Sequence, residues 1–254
     1  MIPSPRTVVE AFCSAGRTPL AVVYDTANAA GLPDQPVRLA IRRLVAAGDV
    51  VQDGRGRAGT LTLTDAGRAR LTRDRVAVDL ALAQDAGHAP WDRTWRLIAV
   101  SVEETARAVR DTLRRNLIAV GAAPVSTGLY VSPHDLADLV GATDHRHFVL
   151  ATATALRVHG HDDPHRIAED LWPARPVDER YDALADLLDT PAHPDPLVQQ
   201  LRLAEGLERA LRDDPLIPPE LRPRPWRPAE LRRRWAAAWA ALADELGERG
   251  LHRD

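Results

Sequence analysis

An α+β protein is expected, with an N-terminal winged helix-turn-helix, a middle ferredoxin-like α/β sandwich and a C-terminal all-helical domain. Three observations predict it. Residues 34–71 read as an amphipathic helix, a hairpin with a glycine- and arginine-rich tip, and the start of a further helix. Residues 95–158 alternate strand and helix patterns. From Val177 onward the apolar spacing is helical, apart from proline-rich breaks at Thr190–Pro196 and Pro215–Pro228. The expected units are 1–72 (winged helix), 73–90 (linker helix), 91–175 (ferredoxin-like) and 176–254 (helical).

Taken in order, Ser4 precedes a proline at a first helical position, and Val8, Val9 and Phe12 give that helix an apolar side. Thr18-Pro19 opens a second helix with Leu20, Val23, Ala27 and Ala30 along one side. Asp34 is positioned to cap a third. In that third helix Val37, Ala40, Ile41, Leu44 and Val45 form an apolar stripe. Gln35, Arg38 and Arg42 share another face, with Arg43 at its margin. Gly48 ends the helix. Val50-Val51 and Leu61-Thr62-Leu63 read as two strands around the tip Asp53-Gly54-Arg55-Gly56-Arg57, and Thr64 as N-cap of a short helix through Leu71. A helix with arginines on its open face fits a DNA major groove. An arginine-tipped hairpin beside it can reach phosphate or the minor groove. Gln35, Arg38, Arg42, Arg43, Arg55 and Arg57 are the candidate DNA contacts.

Thr72–Pro90 reads as a connecting helix ending near Gly87. Trp95–Val100 is a buried strand. Ser101-Val102-Glu103-Glu104 has the spacing of a capping box for a helix running to Gly121. Ala123–Val131 is a strand broken at Gly128, or a tight hairpin. Pro133–Leu136 starts another helix, Phe148–Val158 is an extended stretch and Pro164–Leu171 a short helix. This order suggests a ferredoxin-like sandwich. Later helices carry Tyr181, Leu184, Leu187 and Leu188, then Leu197, Leu201, Leu207 and Leu211, then Leu231, Trp235, Trp239, Leu242 and Leu246.

The chain has 254 residues, enough for two or three small domains. Net charge is −3, so bulk charge announces no nucleic-acid partner. From Arg38 to Arg75, however, arginines outnumber acids, and screening over about 10 Å lets such a patch act locally. All basic residues are arginine, which favours forked contacts. There is no long apolar run for a membrane span and no secretion signal in MIPSPRTVVEAF. With Cys13 as the only cysteine, a cytoplasmic protein is expected.

Three stretches resemble the PaaX family of bacterial transcriptional repressors. VRLAIRRLVAAGDV with GRAGTLTLTDAG is similar to the family's winged helix. WDRTWRLIAVSV, followed by LRRNLIAVGAAPVSTGLYVSP, is similar to its tryptophan-led strand, helix and second strand. LRDDPLIPPELRPRPWRPAELRRRWAAAWAAL is similar to the segment before its last helix. The chain departs at Gly48-Asp49, where the family commonly has Gly-Trp, and at Leu61, where an aromatic is common. The resemblance implies a homodimer on a palindromic operator, repression, and release by an aryl-acyl coenzyme A thioester. It names no effector-binding residue.

Other readings compete. A ferredoxin-like fold also serves metal-dependent nucleases of the CRISPR spacer-acquisition type, which need a carboxylate at the end of the first strand. Here Val100-Ser101 stands there, and capping explains Glu103 and Glu104. A ligand-independent DNA-binding protein is a further alternative. His145, His147, His159, His161 and His165, with Asp162 and Asp163, could chelate zinc or nickel, but their loop and strand-end positions suit surface histidines. Cys13 suits core, and Trp226, Trp235 and Trp239 suit core or dimer contacts. Tyr130 and Trp95 suit core ahead of an effector pocket. No catalytic residue, metal site or cofactor is expected.

Overall fold

The computed structural model describes residues 1–13, 16–103, 106–136, 145–247 and 250–251. The elements run α1 (Pro5–Cys13), β1 (Thr18–Pro19), α2 (Leu20–Ala29), α3 (Asp34–Ala46), β2 (Val50–Asp53), β3 (Thr60–Leu63) and α4 (Asp65–Asp85). They continue β4 (Trp95–Val100), α5 (Arg107–Ala119), β5 (Ala123–Ser126), β6 (Leu129–Ser132) and β7 (Phe148–Ala153). The last are α6 (Pro164–Leu171), α7 (Ala174–Arg180), α8 (Asp182–Asp189), α9 (Pro196–Leu211) and α10 (Arg227–Leu246). The chain divides into two compact units, neither contiguous in sequence. One joins Met1–Asp79, Tyr181–Ala210 and Glu230–Asp254; the other joins Leu80–Arg180 and Leu211–Ala229. The segment 176–254, expected as one helical domain, is therefore shared between the two, and the boundary near the expected linker falls inside the single long helix α4.

In the first unit, α1, α2 and α3 bury Val8, Val9, Leu20, Val23, Ala27, Val37, Ile41 and Leu44 in one core. Leu61 and Leu63 of β3 enter the same core, as do Leu201 and Leu251. Ser4 caps α1 by accepting the Thr7 N–H at 3.0 Å. Thr18-Pro19 does not begin a helix. It forms β1, paired antiparallel with β3 (Thr18 opposite Leu61), and α2 starts one residue later. Proline cannot donate to a ladder, so it suits this short edge strand. The sheet order is β1-β3-β2.

Asp34 does not cap α3. Pro33 occupies the cap, and Asp34 lies in the first turn, where its charge suits the positive end of the helix. Gly48 does end α3. Its φ of 78° admits the left-handed turn in which the Asp49 N–H reaches the Leu44 carbonyl at 2.9 Å. Thr64 caps α4, accepting the Gly67 N–H at 3.0 Å while its hydroxyl reaches the Gly48 carbonyl at 2.7 Å.

In the second unit the sheet order is β5-β6-β4-β7, all antiparallel. This is the strand order of a ferredoxin-like split βαβ sheet. The region 123–131 is the tight hairpin, turning at Gly128. Trp95, Ala123 and Val131 pack on Ile167 and Ala168 of α6 and on Ile217 and Leu221. Ile98 and Tyr130 pack with Leu117 of α5. Neighbouring strand residues point to opposite faces, so the sheet is covered on both. α5 begins at Arg107 with Ala106 at its cap, later than the capping box at Ser101 led one to expect, and Glu104, the other half of that box, lies outside the described residues. The helix expected from Pro133 has no helical turn through Leu136, and 137–144 lie outside the described residues. The extended stretch expected to Val158 ends as a strand at Ala153.

Candidate nucleic-acid interface

α3 is amphipathic because its buried and charged residues fall on different sides at helical spacing. Val37, Ile41 and Leu44 face the core, whereas Gln35, Arg38, Arg42 and Arg43 are exposed. Arg38 and Arg42 are one turn apart, about 6 Å along the axis. Neither they, nor Arg43, nor the exposed Arg55 pairs with an acid among the described residues.

Other arginines of this unit are engaged. Arg17 meets Asp53 at 2.7 Å and Thr60 Oγ1 at 3.0 Å, holding β1 to the hairpin. Arg70 bridges Glu10 (2.6 Å), Asp49 (2.9 Å) and Asp74 (2.7 Å), joining α1, the turn after α3 and α4. Burial opposes its charge, but these carboxylates outweigh it and raise its pKa above the ordinary arginine value. Asp49, where the resembled family commonly has Trp, is thus the buried partner of an arginine.

Arg57 behaves differently from its sequence expectation. Its guanidinium pairs with Asp25 and, at 3.3 Å, with Asp34, and it lies 5.5 Å from the centre of the Tyr24 ring. It folds back onto α2 and the start of α3, which occupies the fork expected to meet phosphate. Asn28 Nδ2 adds a hydrogen bond to Asp34 at 3.1 Å. Of the six candidate residues, the structure brings Gln35, Arg38, Arg42 and Arg43 together on α3. Arg55 stands on the tip, and Arg57 ties that tip down.

Glu205 carries no signal in the sequence beyond its place in a helix. It is 2% exposed, and its carboxylate accepts from the Ser4 N–H at 2.9 Å, Thr7 Oγ1 at 2.6 Å and Arg209 Nε at 2.7 Å. Burial alone would raise its pKa. The hydrogen bonds from Thr7, Ser4 and Arg209 overcome that and hold it below the ordinary glutamate value. This contact locks α1 to α9, far apart in the chain.

The second unit holds the other candidates. Trp95 and Tyr130 are core, 2% and 1% exposed, with the Tyr130 hydroxyl accepting from Arg114 Nε at 3.0 Å. Trp172 stacks on Trp95 and donates to the Gly121 carbonyl at 2.9 Å. A cavity of about 270 Å³ opens beside it, walled by Ala122, Pro124, Trp172, Pro173 and Val177, with Arg180 and Asp213 also in its lining and the Arg180 guanidinium donating to the Asp213 carbonyl. β4 ends at Val100, and the Ser101 N–H goes to the His147 carbonyl at 2.7 Å; the two residues at that strand end, Val100 and Ser101, are not carboxylates. His159 Nδ1 lies 2.5 Å from Asp170, and Arg157 pairs with Asp162 at 2.8 Å. No three His, Cys, Asp or Glu converge to hold an ion among the described residues. In the first unit Cys13 is core, and burial, with Glu10 nearby, pushes its thiol up to about 12. Trp235 is buried and stacks on Trp239. No helix is long and apolar enough to cross a membrane among the described residues.

Comparison with known proteins places these features in context. Residues 88–169, all within the second unit, match the family model of the PaaX protein central Cas2-like domain. No curated protein matches. The fold is shared with uncharacterized protein Rv0674 from Mycobacterium tuberculosis, at 22% identity and a TM-score of 0.64, covering 98% of this chain and 99% of that one.

Proposed function

We propose, from the premise that its central domain places this chain in the PaaX family, that the protein is a DNA-binding transcriptional repressor and no enzyme. The first 72 residues act as a winged helix, α3 as its recognition helix and the β2–β3 hairpin as its wing. The observation that carries this reading is the exposed row Gln35, Arg38, Arg42 and Arg43, which has no acidic partner among the described residues, while Arg17, Arg57 and Arg70 of the same unit are paired.

Charges left without an internal partner are available to an external anion. Gln35, near the start of α3, suits a base edge, and Arg38 or Arg42 suits a guanine bidentately. Arg55 serves backbone phosphate. Arg57 has a supporting role: shared between Asp25 and Asp34, its single positive charge offsets one of the two negative charges that would repel phosphate near the start of α3.

The regulator acts as a cytoplasmic homodimer on a two-fold operator, its recognition helices about one DNA turn (~34 Å), or a multiple of it, apart. A small-molecule effector, an aryl-acyl coenzyme A thioester in the resembled family, releases it by preferring a state with the wrong helix separation. The cavity beside Trp172 is large enough for an aromatic ring.

A promoter-fragment shift assay with and without acyl-coenzyme A thioesters tests the reading. Arg38→Ala and Arg42→Ala are expected to weaken specific binding by about 1–3 kcal/mol each. Unchanged affinity in both would remove α3 as the recognition helix. Binding that no thioester relieves would leave a ligand-independent DNA-binding protein.

A further inference from the structure

The exposed face of α3 carries one residue that its charges do not explain. Leu39 is 44% exposed. It stands one turn after Gln35 and one turn before Arg42 and Arg43, so these residues share a side of the helix, with Arg38 adjoining. Counted round the helix at about 100° per residue, Leu39 falls inside the arc that runs from Arg38 to Arg43. The buried Val37, Ile41 and Leu44 lie on the opposite side. A leucine therefore meets water in the middle of a row otherwise made of glutamine and arginine.

This face is apolar at its centre and cationic at its margins. An occupant that covers it must offer apolar surface in the middle and negative charge on both sides. The major groove of duplex DNA does so. Phosphates line its walls, and among the four bases thymine alone shows a methyl group on its floor. Gln35 and the arginines recognise donors and acceptors, and thymine presents the same ones as uracil, so none of them can sense that methyl. We propose that Leu39 is a specificity-determining residue that reads the 5-methyl group of thymine, while the arginines beside it hold phosphate and purine edges. This deepens the winged-helix reading and rests on it. The contact takes the leucine side chain and the methyl group out of water together, which is a hydrophobic gain and needs no hydrogen bond.

The test uses the full chain. A binding site is first selected from a randomised duplex library. Each thymine of that site is then replaced singly by deoxyuridine, which keeps the base pair and removes one methyl group, and fluorescence anisotropy reads the dissociation constant. Wild type is expected to lose about fourfold at a thymine in each half-site, the worth of one methyl group withdrawn from water. Leu39→Ala should bind the thymine and uracil duplexes about equally. Leu39→Met keeps the apolar reach and should retain most of the discrimination. Val45→Ala is the control: Val45 is 39% exposed, also on α3, but about 120° round the helix from Leu39, and its loss should leave the discrimination unchanged. Circular dichroism checks that the variants stay folded, as the exposure of both side chains requires. Unchanged affinity at every uracil, a uracil penalty that persists in full in Leu39→Ala, or discrimination that falls equally in Val45→Ala would each overturn the proposal. A selected site that depends on Arg38 and Arg42 but shows no methyl effect through Leu39 removes the Leu39 role alone. A chain that selects no site removes the winged-helix reading, and the Leu39 role with it.

Discussion

Arg57 and Arg38 are the same residue type, each read from sequence as a DNA contact, and their surroundings differ. Arg57 lies within reach of Asp25 and Asp34, so its charge is satisfied internally; Arg38 has no such neighbour among the described residues. Arg57→Ala should therefore cost at most about 1 kcal/mol of stability, as exposed ion pairs do. It should weaken DNA binding indirectly, by making the surroundings of Asp25 and Asp34 more negative by one charge. Arg55→Ala should lower affinity evenly across sequences and shallow the salt dependence of binding by about one unit, read from titrations at several salt concentrations. Glu205 gives the pH prediction. Its native pKa is depressed, so the stability it contributes is present above its unfolded value, about 4.3, and is lost as pH falls through the lower native value. Urea midpoints for wild type and Glu205→Gln should differ at pH 7 and converge as pH falls through that range. A gap that stays constant would mean that Glu205 does not titrate with folding.

At the scale of elements, Gly67 shows how a helix start is held. A Cβ built there would stand 2.1 Å from the Asp49 carbonyl oxygen and 2.9 Å from Leu63 Cδ1. Glycine to alanine inside a helix normally stabilises by about 1 kcal/mol. Here Gly67→Ala should destabilise, by about 1–3 kcal/mol as overpacking does, because backbone must move. A thermal melt that rises instead of falling would contradict this packing. The contact matters for function because the same turn joins the end of α3 to β2 and is pinned by Thr64 and Arg70. Loosening it would blur the angle between the proposed recognition helix and its wing.

At the scale of the whole molecule, the core around α1–α3 is completed by residues from the other end of the chain. Leu201 is fully buried in it, Leu251 joins it, and Leu197 and Trp239 pack against it. Leu201→Ala should cost about 2–5 kcal/mol, measurable by urea denaturation. Residues 1–79 expressed alone should be much less stable than the intact chain, with broadened amide spectra, since α9 and α10 no longer cover that core. A fragment that folds as stably as the intact protein would show that the late helices contribute nothing to it.

What the residues determined alone is local. Apolar spacing placed α3, β4 and α6, glycine and threonine placed the end of α3 and the start of α4, and residue type marked Arg38 and Arg42 as exposed cations. These are short-range effects of periodicity, capping and charge, and they need no partner to be read. The tertiary structure decided the rest. It made Thr18-Pro19 a strand because β3 offered an edge to it. It turned Arg57 inward because α2 brought Asp25 beneath it, started α5 at Arg107, and divided the late helices between two units. Each of these depends on which distant segment supplies the hydrogen-bond partner, the opposite charge or the missing core volume, and that choice is a property of the packed chain, with no mark at the residues concerned.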